Sequence, residues 1–158
     1  MSKLFQPHVT VAAVIEQDGR FLVVQEQTPD GLRLNQPAGH LEADESLIEA
    51  CVRETLEETT YDFSPTGLLG TYLWRSPLGQ TFLRFAFVGQ LGTAHPDRQL
   101  DHGIERTLWR SAEALDAQAH THRSPLVMQC IRDYRAGQRF SLNAVHTHAS
   151  AVLAELCR

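Results

Sequence analysis

The stretch LIEACVRETLEET, residues 47–59, has the hydrophobic periodicity of an amphipathic helix. Its apolar positions recur at i, i+1, i+4 and i+5, as in a helix that lays one face on a hydrophobic core. These positions are Leu47, Ile48, Cys51, Val52, Thr55, Leu56 and Thr59. Ser46 followed by Glu49 matches a capping box, and Asp44 is the alternative N-cap. The fold must therefore supply a layer against which this face is buried.

Strand signals lie on both sides of this helix. Runs rich in β-branched, aromatic and other apolar residues are broken by turn residues, which is typical of short strands. The predicted strands are residues 9–15, 21–24, 65–74, 80–91 and 104–109. Asp18-Gly19 separates the first two, so the chain is expected to open with a β-hairpin. The residues SPLG at 76–79 indicate a second hairpin, and residues 28–44 have the composition of a long loop with one short strand.

Two helices are predicted in the last third of the chain. A brief helix begins at Ser111, and a longer one spans residues 124–137, with Ser124 as its cap and Pro125 at its first position. This order of strands and helices predicts an α+β sandwich, a mixed β-sheet with helices on its faces. The 158 residues are expected to form a single domain. No structure is predicted for residues 143–158.

Charge and composition argue against several classes of function. The net charge is −5, whereas binding to a nucleic acid polymer requires many Lys and Arg side chains. The longest apolar run, around residues 11–15, is too short to cross a membrane, and the N-terminus lacks the apolar core of a signal peptide, so a cytoplasmic protein is expected. Three cysteines without C-x-x-C spacing argue against disulfides and zinc, and Cys51 and Cys130 are expected to be packing residues. The HTH tripeptides at 120–122 and 146–148 are expected in solvated loops or the tail.

The predicted helix concentrates acidic side chains on one side of its apolar stripe. At about 100° per residue, Glu54, Glu57 and Glu58 fall within one arc of about that width. Like charges at i and i+4 repel, and the helix dipole disfavours anions near the C-terminus. A divalent cation would reverse both effects, and oxygen ligands without Cys or His select Mg²⁺ or Mn²⁺. The alternative is a solvated acidic face in which Arg53 pairs with Glu57.

The spacing of these residues resembles the Nudix box, the signature of hydrolases that act on diphosphates linked to another moiety. The matching positions are Gly39, Glu45, Arg53, Glu54, Glu57 and Glu58, within a box that spans residues 39–61. The segments HVTVA, FLVV, NQPAGHLEADE, FLRF, RSPLV and GQRF are similar to the NudJ phosphatase branch of this family, from about residue 7 to residue 142. The resemblance implies a Nudix α/β/α sandwich.

The resemblance also implies roles for individual residues. Glu54, Glu57 and Glu58 would be the metal-binding and catalytic carboxylates, with a backbone carbonyl at Ala38 or Gly39 as a further ligand. Arg53 would orient these carboxylates, and Glu45 would be an outer-shell or helix-stabilising acid. The implied cofactor is Mg²⁺, with Mn²⁺ as a substitute.

Two departures from the box concern packing. The box ends in Gly and an aliphatic residue, whereas Thr60 and Tyr61 stand here, so a different turn after the helix is expected because Thr reaches a left-handed conformation only with strain. Thr55 replaces an aliphatic residue on the packing stripe. Neither position carries chemistry, so altered local packing with intact metal binding is expected.

Several residues outside the box are candidates for binding the substrate. Strand alternation places Arg84 opposite Phe85 and Phe87, where it either pairs structurally or contacts a phosphate. The remaining candidates, each with a structural alternative, are Arg33 for phosphate, Trp74 and Tyr72 for ring stacking, Asn35 and Gln36 for a base edge, and Asp101 and Glu105 as loop acids that accept a proton.

The expected function is Mg²⁺-dependent cleavage of phosphoanhydride bonds in a small phosphorylated substrate. The resemblance implies hydroxymethylpyrimidine pyrophosphate, thiamine pyrophosphate and nucleoside di- and triphosphates as substrates. The alternatives are a hydrolase of nucleotide sugars or dinucleotides and a non-catalytic domain that binds a nucleotide or a protein. No membrane partner is expected, and the protein is expected to be a monomer or a homodimer.

Overall fold

The computed structural model describes residues 4–152 of the chain. Its strands are β1 (His8–Val14), β2 (Glu16–Gln17), β3 (Arg20–Thr28), β4 (Gly31–Asn35), β5 (Ala38–His40), β6 (Tyr61–Arg75), β7 (Thr81–Ala94) and β8 (Ile104–Ser111). Its α-helices are α1 (Leu47–Thr59), α2 (Ala112–Ala117) and α3 (Leu126–Arg135). Short 3₁₀ helices span Ala119–Thr121, Leu142–Ala144 and Ala149–Ala151.

The strands form two four-stranded sheets. The first has the order β5-β1-β7-β6, in which β1 and β7 are parallel and the other pairs are antiparallel. In the second sheet, β3 pairs with β2, β4 and β8, always antiparallel. The predicted α+β class is confirmed, but the single mixed sheet of the prediction is divided into a mixed sheet and an antiparallel one. The loop predicted at residues 28–44 contains two strands, β4 and β5, where one was expected.

The opening hairpin was predicted correctly at its turn and wrongly in its pairing. Asp18 and Gly19 have φ values of 51° and 75°, as a tight hairpin turn requires. Of the two strands that precede this turn, only β2 pairs with β3. Strand β1 instead joins the other sheet, between β5 and β7. A strand that is apolar on both faces is typical of the interior of a sheet, and residues 11–14 are all buried. The two strands are therefore neighbours in sequence without forming one ladder.

Helices cover the sheets on two sides. Because side chains alternate along a strand, the core consists of two hydrophobic clusters, one on each side. On one side, Val11 and Ala13 of β1 belong to a cluster with Ala50 and Cys51 of α1. On the other side, Ala12 and Val14 belong to a cluster with residues of α2 and α3 such as Leu115, Val127 and Cys130. Side chains at successive positions of β1 and β7 consequently lie in different layers.

Helix α1 has the predicted start and an unexpected end. Ser46 and Glu49 form the predicted capping box, so Ser46 rather than Asp44 is the N-cap. The turn after the helix was expected to differ, but Thr60 adopts the left-handed conformation with φ 63° and ψ 17°, and its N–H donates to the Leu56 carbonyl at 2.9 Å. Thr55 is fully buried, and its hydroxyl donates to the Cys51 carbonyl at 2.7 Å. The capping hydrogen bond therefore outweighs the strain at Thr60.

The remaining predictions of secondary structure differ mainly in their bounds. Strands β6 and β7 form the predicted second hairpin and are longer than expected. Helix α3 begins at Leu126 with Pro125 as its N-cap, so the predicted cap at Ser124 and first helical position at Pro125 were wrong by one residue, although the Leu126 N–H donates to the Ser124 hydroxyl at 3.3 Å. Cys51 and Cys130 are free and buried, whereas Cys157 lies outside the described residues, with the rest of 153–158. Within residues 4–152, no helix is both long and apolar enough to cross a membrane.

The strained cap predicts that Thr60→Gly stabilises the protein. Glycine reaches a left-handed conformation without the steric cost of a β-branched side chain, so the free energy of unfolding should rise by about 1 kcal/mol. Urea denaturation measures this change. Thr71→Gly, at an exposed position in the middle of β6, is the matched control and should instead destabilise. Equal destabilisation by both variants would contradict the assignment of strain to Thr60.

Candidate active site

Arg53 organises the acidic residues of the box through side-chain hydrogen bonds. Its Nε and Nη2 donate to the two carboxylate oxygens of Glu45 at 2.9 and 2.7 Å, which is a bidentate pair. Its Nη1 donates to Glu54 at 2.8 Å and to Glu57 at 3.1 Å. Nη2 also donates to the carbonyl oxygen of His40 at 3.0 Å. Arg53 therefore connects helix α1 to the loop before it and to β5, which agrees with the orienting role expected for this residue.

Glu58 is a buried carboxyl group at the contact between α1 and β5. Its side chain accepts a hydrogen bond from the Ala38 backbone N–H at 2.9 Å, and the residue is only 6% exposed. Burial raises the pKa of Glu58 to about 9, and the nearby carboxylates of Glu26, Glu54 and Asp101 add to this effect. Burial also raises the pKa of Glu54, against the opposing effect of Arg53. Both carboxyl groups are thus held in a site that disfavours their ionised forms, and only Glu54 has an ion-pair partner, Arg53, within residues 4–152.

Gly39 permits the close approach of Glu54 to the backbone of β5. A Cβ atom at position 39 would overlap the carboxyl group of Glu54. The backbone at Ala38 and Gly39 and the two side chains consequently border one small cavity of about 330 Å³. Glu26 of β3 and Asp101 of the loop before β8 also line this cavity. The backbone N–H of Asp101 donates to the Glu57 carbonyl at 2.9 Å, which holds this loop to α1.

The three glutamates predicted to share one cation are not all together. Glu54 and Glu58 line the small cavity, whereas Glu57 is held by Arg53 and does not line it. Within residues 4–152, no three side chains of His, Cys, Asp or Glu are close enough to hold a metal ion as they stand. The donors at the cavity are nevertheless carboxylate and carbonyl oxygens without a thiolate, a set that fits Mg²⁺ or Mn²⁺. The buried carboxyl group of Glu58, which forms no ion pair within residues 4–152, is a second feature that a cation would fit.

A larger cavity of about 730 Å³ adjoins the acidic one, and the two share the backbone of β5 and the side chains of Glu26 and His40. Arg84 lies in its wall and is 6% exposed. The guanidinium donates to the side-chain oxygens of Gln36 at 3.1 Å and Asn35 at 3.2 Å, and no carboxylate within residues 4–152 forms an ion pair with it. Neutral amides therefore hold a buried cation beside the cavity.

An aromatic row lies next to Arg84 on the same face of the first sheet. His8, Phe82 and Trp74 occupy adjacent positions on β1, β7 and β6. The ring of Phe82 stacks with His8 at 5.1 Å and with Trp74 at 5.6 Å between centroids. Two residues further along β1 and β7, Thr10 and Arg84 form the next pair on this face. Two members of this row, Trp74 and Phe82, line the cavity beside the cationic group of Arg84.

The structure separates the remaining candidates into two groups. Trp74, Asn35 and Arg84 line the larger cavity, and Asp101 lines the acidic one. Arg33 and Glu105 line neither cavity. Tyr72 also lies outside, and its hydroxyl donates to the Asp133 carboxylate at 2.9 Å. Gln36 is buried, donates to the Val127 carbonyl at 2.8 Å and supports Arg84.

Sequence reasoning missed several residues that line the cavities. These are Glu26, His40, Phe82 and Arg123, together with His122, for which a solvated position was wrongly expected. His122 is half-buried, and its Nε2 is enclosed without a hydrogen-bond partner in the described part of the chain. The other histidines of the two HTH tripeptides, His120, His146 and His148, are exposed as expected. The parallel pairing of β1 with β7 brings Phe82 beside His8, and no local pattern signals that pairing.

Comparison with known proteins identifies the family. The model of the NUDIX domain matches residues 4–130. The chain belongs to the Nudix family. It is 44% identical over 142 residues to phosphatase NudJ of Escherichia coli strain K12, covering 90% of this chain and 92% of the relative. Like the Nudix proteins it resembles, it is an enzyme of the pyrophosphohydrolase and phosphatase type.

Solved Nudix structures match this fold as well. A NUDIX hydrolase from Nitrosomonas europaea is 52% identical, with a TM-score of 0.87 and coverage of 90% of this chain and 98% of that one. The MutT protein from Methanosarcina mazei Go1 is 23% identical, with a TM-score of 0.68 and coverage of 87% of this chain and 100% of that one. The second similarity supports the fold alone. The predicted Nudix sandwich is thus confirmed.

The close approach at Gly39 predicts that Gly39→Ala lowers activity more than stability. The added methyl group must displace the Glu54 carboxyl group, which is the end of a flexible side chain. We expect kcat/KM to fall by about 10²-fold, as when a catalytic group is misplaced, with a change in Tm of only a few degrees. Steady-state kinetics and thermal melting measure the two effects. A large fall in Tm with an unchanged kcat would contradict this role of Gly39.

The burial of Glu58 predicts a pH-dependent stability in the absence of metal. Below the unfolded-state pKa near 4.5 the group is neutral in both states, and its contribution to stability is fully present. As the pH rises toward about 9, the unfolded chain loses this proton while the folded protein keeps it, so the free energy of unfolding falls. Between about pH 5.5 and about pH 8, Glu58→Gln should reduce this fall by about 1 kcal/mol or more.

Urea denaturation in chelator at the two pH values measures this difference. Glu113→Gln is the matched control, because Glu113 is exposed and lines neither cavity, and it should keep the wild-type pH dependence between these two pH values. Addition of Mg²⁺ should restore stability to the wild-type protein at the higher pH, because the cation favours the ionised carboxylate. An identical pH dependence in wild type and Glu58→Gln would contradict the buried, protonated state.

Proposed function

We propose that the protein is a Mg²⁺-dependent Nudix hydrolase of the NudJ type. Its substrates would be thiamine-pathway pyrophosphates, namely hydroxymethylpyrimidine pyrophosphate and thiamine pyrophosphate, and nucleoside di- and triphosphates. The main support for this proposal is that the two cavities meet at β5, whose residues line both of them. The acidic cavity suits a cation and a phosphoanhydride, and the larger cavity offers an aromatic row and a buried guanidinium.

The residues that would hold Mg²⁺ are Glu54 and Glu58, with a backbone carbonyl of Ala38 or Gly39. Glu57 would join them only if its carboxylate left Arg53. When bound, the cation neutralises charge on the phosphoryl oxygens and lowers the pKa of a bound water. Mn²⁺ has the same preference for oxygen ligands and would substitute for it.

Residues of the chain would position the two ends of the substrate. Arg84 would bind a phosphate oxygen, because its guanidinium is held by neutral amides and has no carboxylate partner within residues 4–152. Trp74 would stack on the ring of the leaving alcohol or nucleoside, since Phe82 already stacks with His8 on one side and with Trp74 on the other. Arg53 would keep the Glu54 carboxylate at the cavity while paired with Glu45.

Asp101 is the candidate for accepting the proton of the attacking water. It lines the acidic cavity, and its backbone is bonded to the end of α1. Glu105, the other loop acid, is exposed and lies outside both cavities. Among the two loop acids, only Asp101 therefore has the proximity that general-base catalysis requires.

Substitution of Glu58 tests the function. Glu58→Gln preserves the shape of the side chain and should lower kcat by about 10²-fold or more, as for the loss of a catalytic group. Release of phosphate, pyrophosphate and monophosphate should be measured for each proposed substrate, with Mg²⁺ and with chelator. Glu113→Gln, at an exposed position outside both cavities, should leave the rate unchanged. An unchanged rate in Glu58→Gln, or full activity in chelator, would refute the proposal.

A further inference from the structure

Glu26 is an acidic residue at the place where a phosphorylated substrate would pass. It lies near the end of β3 and lines both cavities. Its Oε1 faces two donors, the Asn35 Nδ2 at 3.5 Å and the Arg123 Nε at 3.4 Å. Its Oε2 has no hydrogen-bond or ion-pair partner within residues 4–152. One carboxyl oxygen is thus held in place while the other is left for a ligand.

A carboxyl group at this position is unsuited to contact with phosphate. An anionic oxygen beside a pyrophosphate repels it, and Glu54, Glu58 and Asp101 already make the neighbouring cavity acidic. The group that Oε2 suits is a hydrogen-bond donor on the uncharged part of the substrate. Because Glu26 lines the same cavity as Trp74, that donor would belong to a ring stacked on Trp74.

We propose that Glu26 determines specificity for the ring by accepting a hydrogen bond from an exocyclic amino group. The protein would then prefer pyrophosphates of amino-substituted heterocycles, such as aminopyrimidines, cytosine and adenine, over those with a carbonyl at the same ring position. A carbonyl oxygen there offers no donor and repels the carboxyl oxygen. This inference rests on the proposed function, since it concerns the ring attached to the hydrolysed phosphates.

Cytidine and uridine nucleotides provide the test, because they differ at one ring position that carries an amino group in one and a carbonyl in the other. Wild type should have a kcat/KM for cytidine diphosphate at least about tenfold higher than for uridine diphosphate. In Glu26→Gln the ratio should fall toward one, because an amide accepts a bond from the amino group and donates one to the carbonyl. The rate with cytidine diphosphate should change by less than about threefold, since the amide retains one such bond.

The readout separates specificity from other roles of Glu26. A metal ligand or a proton acceptor would lose rate equally with both nucleotides in Glu26→Gln, and this result would overturn the inference. A structural partner of Arg123 would leave the ratio at its wild-type value, which would overturn it as well. Glu113→Gln, the same chemical change at an exposed position, should keep the wild-type ratio. Equal use of both nucleotides by wild type would also refute the inference.

Binding measurements keep this test independent of turnover. Dissociation constants for cytidine and uridine diphosphate should be measured by calorimetry with Glu58→Gln and with Glu26→Gln/Glu58→Gln, both in Mg²⁺. The preference for cytidine diphosphate should be present in the first and lost in the second. If wild type hydrolyses neither nucleotide nor hydroxymethylpyrimidine pyrophosphate, the proposed function fails, and the ratio of dissociation constants still decides whether Glu26 selects the amino group.

Discussion

The site depends on the contact between the glutamates of α1 and the backbone of β5. Ala38 donates to Glu58, Gly39 lies against Glu54, and the carbonyl of His40 accepts from Arg53. All three residues of this short strand therefore contact the helix that carries the acidic residues. Because β5 also pairs with β1, the position of the carboxylates is set by the sheet rather than by the helix alone.

This contact carries an energetic cost that suits a binding site. Burial of Glu58 and Glu54 disfavours their ionised forms, and the described residues place no cation beside Glu58. Arg84 is the converse case, a buried cation in a wall of the adjoining cavity. Glu58 and Arg84 therefore border adjoining cavities, and neither forms an ion pair within residues 4–152. A cation in one cavity and an anionic substrate in the other would relieve both costs.

The sequence predicts the local parts of this structure better than their assembly. The capping box, the stripe of α1 and the turn at Asp18-Gly19 follow from residues close together in the chain, and all three are observed. The pairing of β1 with β7 and the division into two sheets follow from contacts distant in sequence, which periodicity does not specify. Arg84 was placed on the correct face, but its burial involves the amides of Asn35 and Gln36, which are distant from it in sequence.

The same distinction holds for the candidate site. Box spacing identified Glu54 and Glu58, which line the acidic cavity, and Arg53, which holds Glu54. It did not predict that Arg53 would keep Glu57 away from the cavity. Glu26 gave no signal, because a glutamate near the end of an alternating strand is usually solvated. Its significance arises only when the two sheets bring it near Arg84. Burial raises the pKa of Glu26, and the charge of Arg84 is among the effects that oppose this rise.

The parallel pairing of β1 with β7 has a consequence for the order in which the molecule folds. It joins residues 8–14 to residues 82–88, so the aromatic row is completed only after positions 74 residues apart in the sequence have been brought together. Closing so large a loop is slow compared with forming a helix or a hairpin. We therefore expect the aromatic row to be among the last parts to become native, because an intermediate with α1 and the β6–β7 hairpin already formed would still lack His8 beside Phe82.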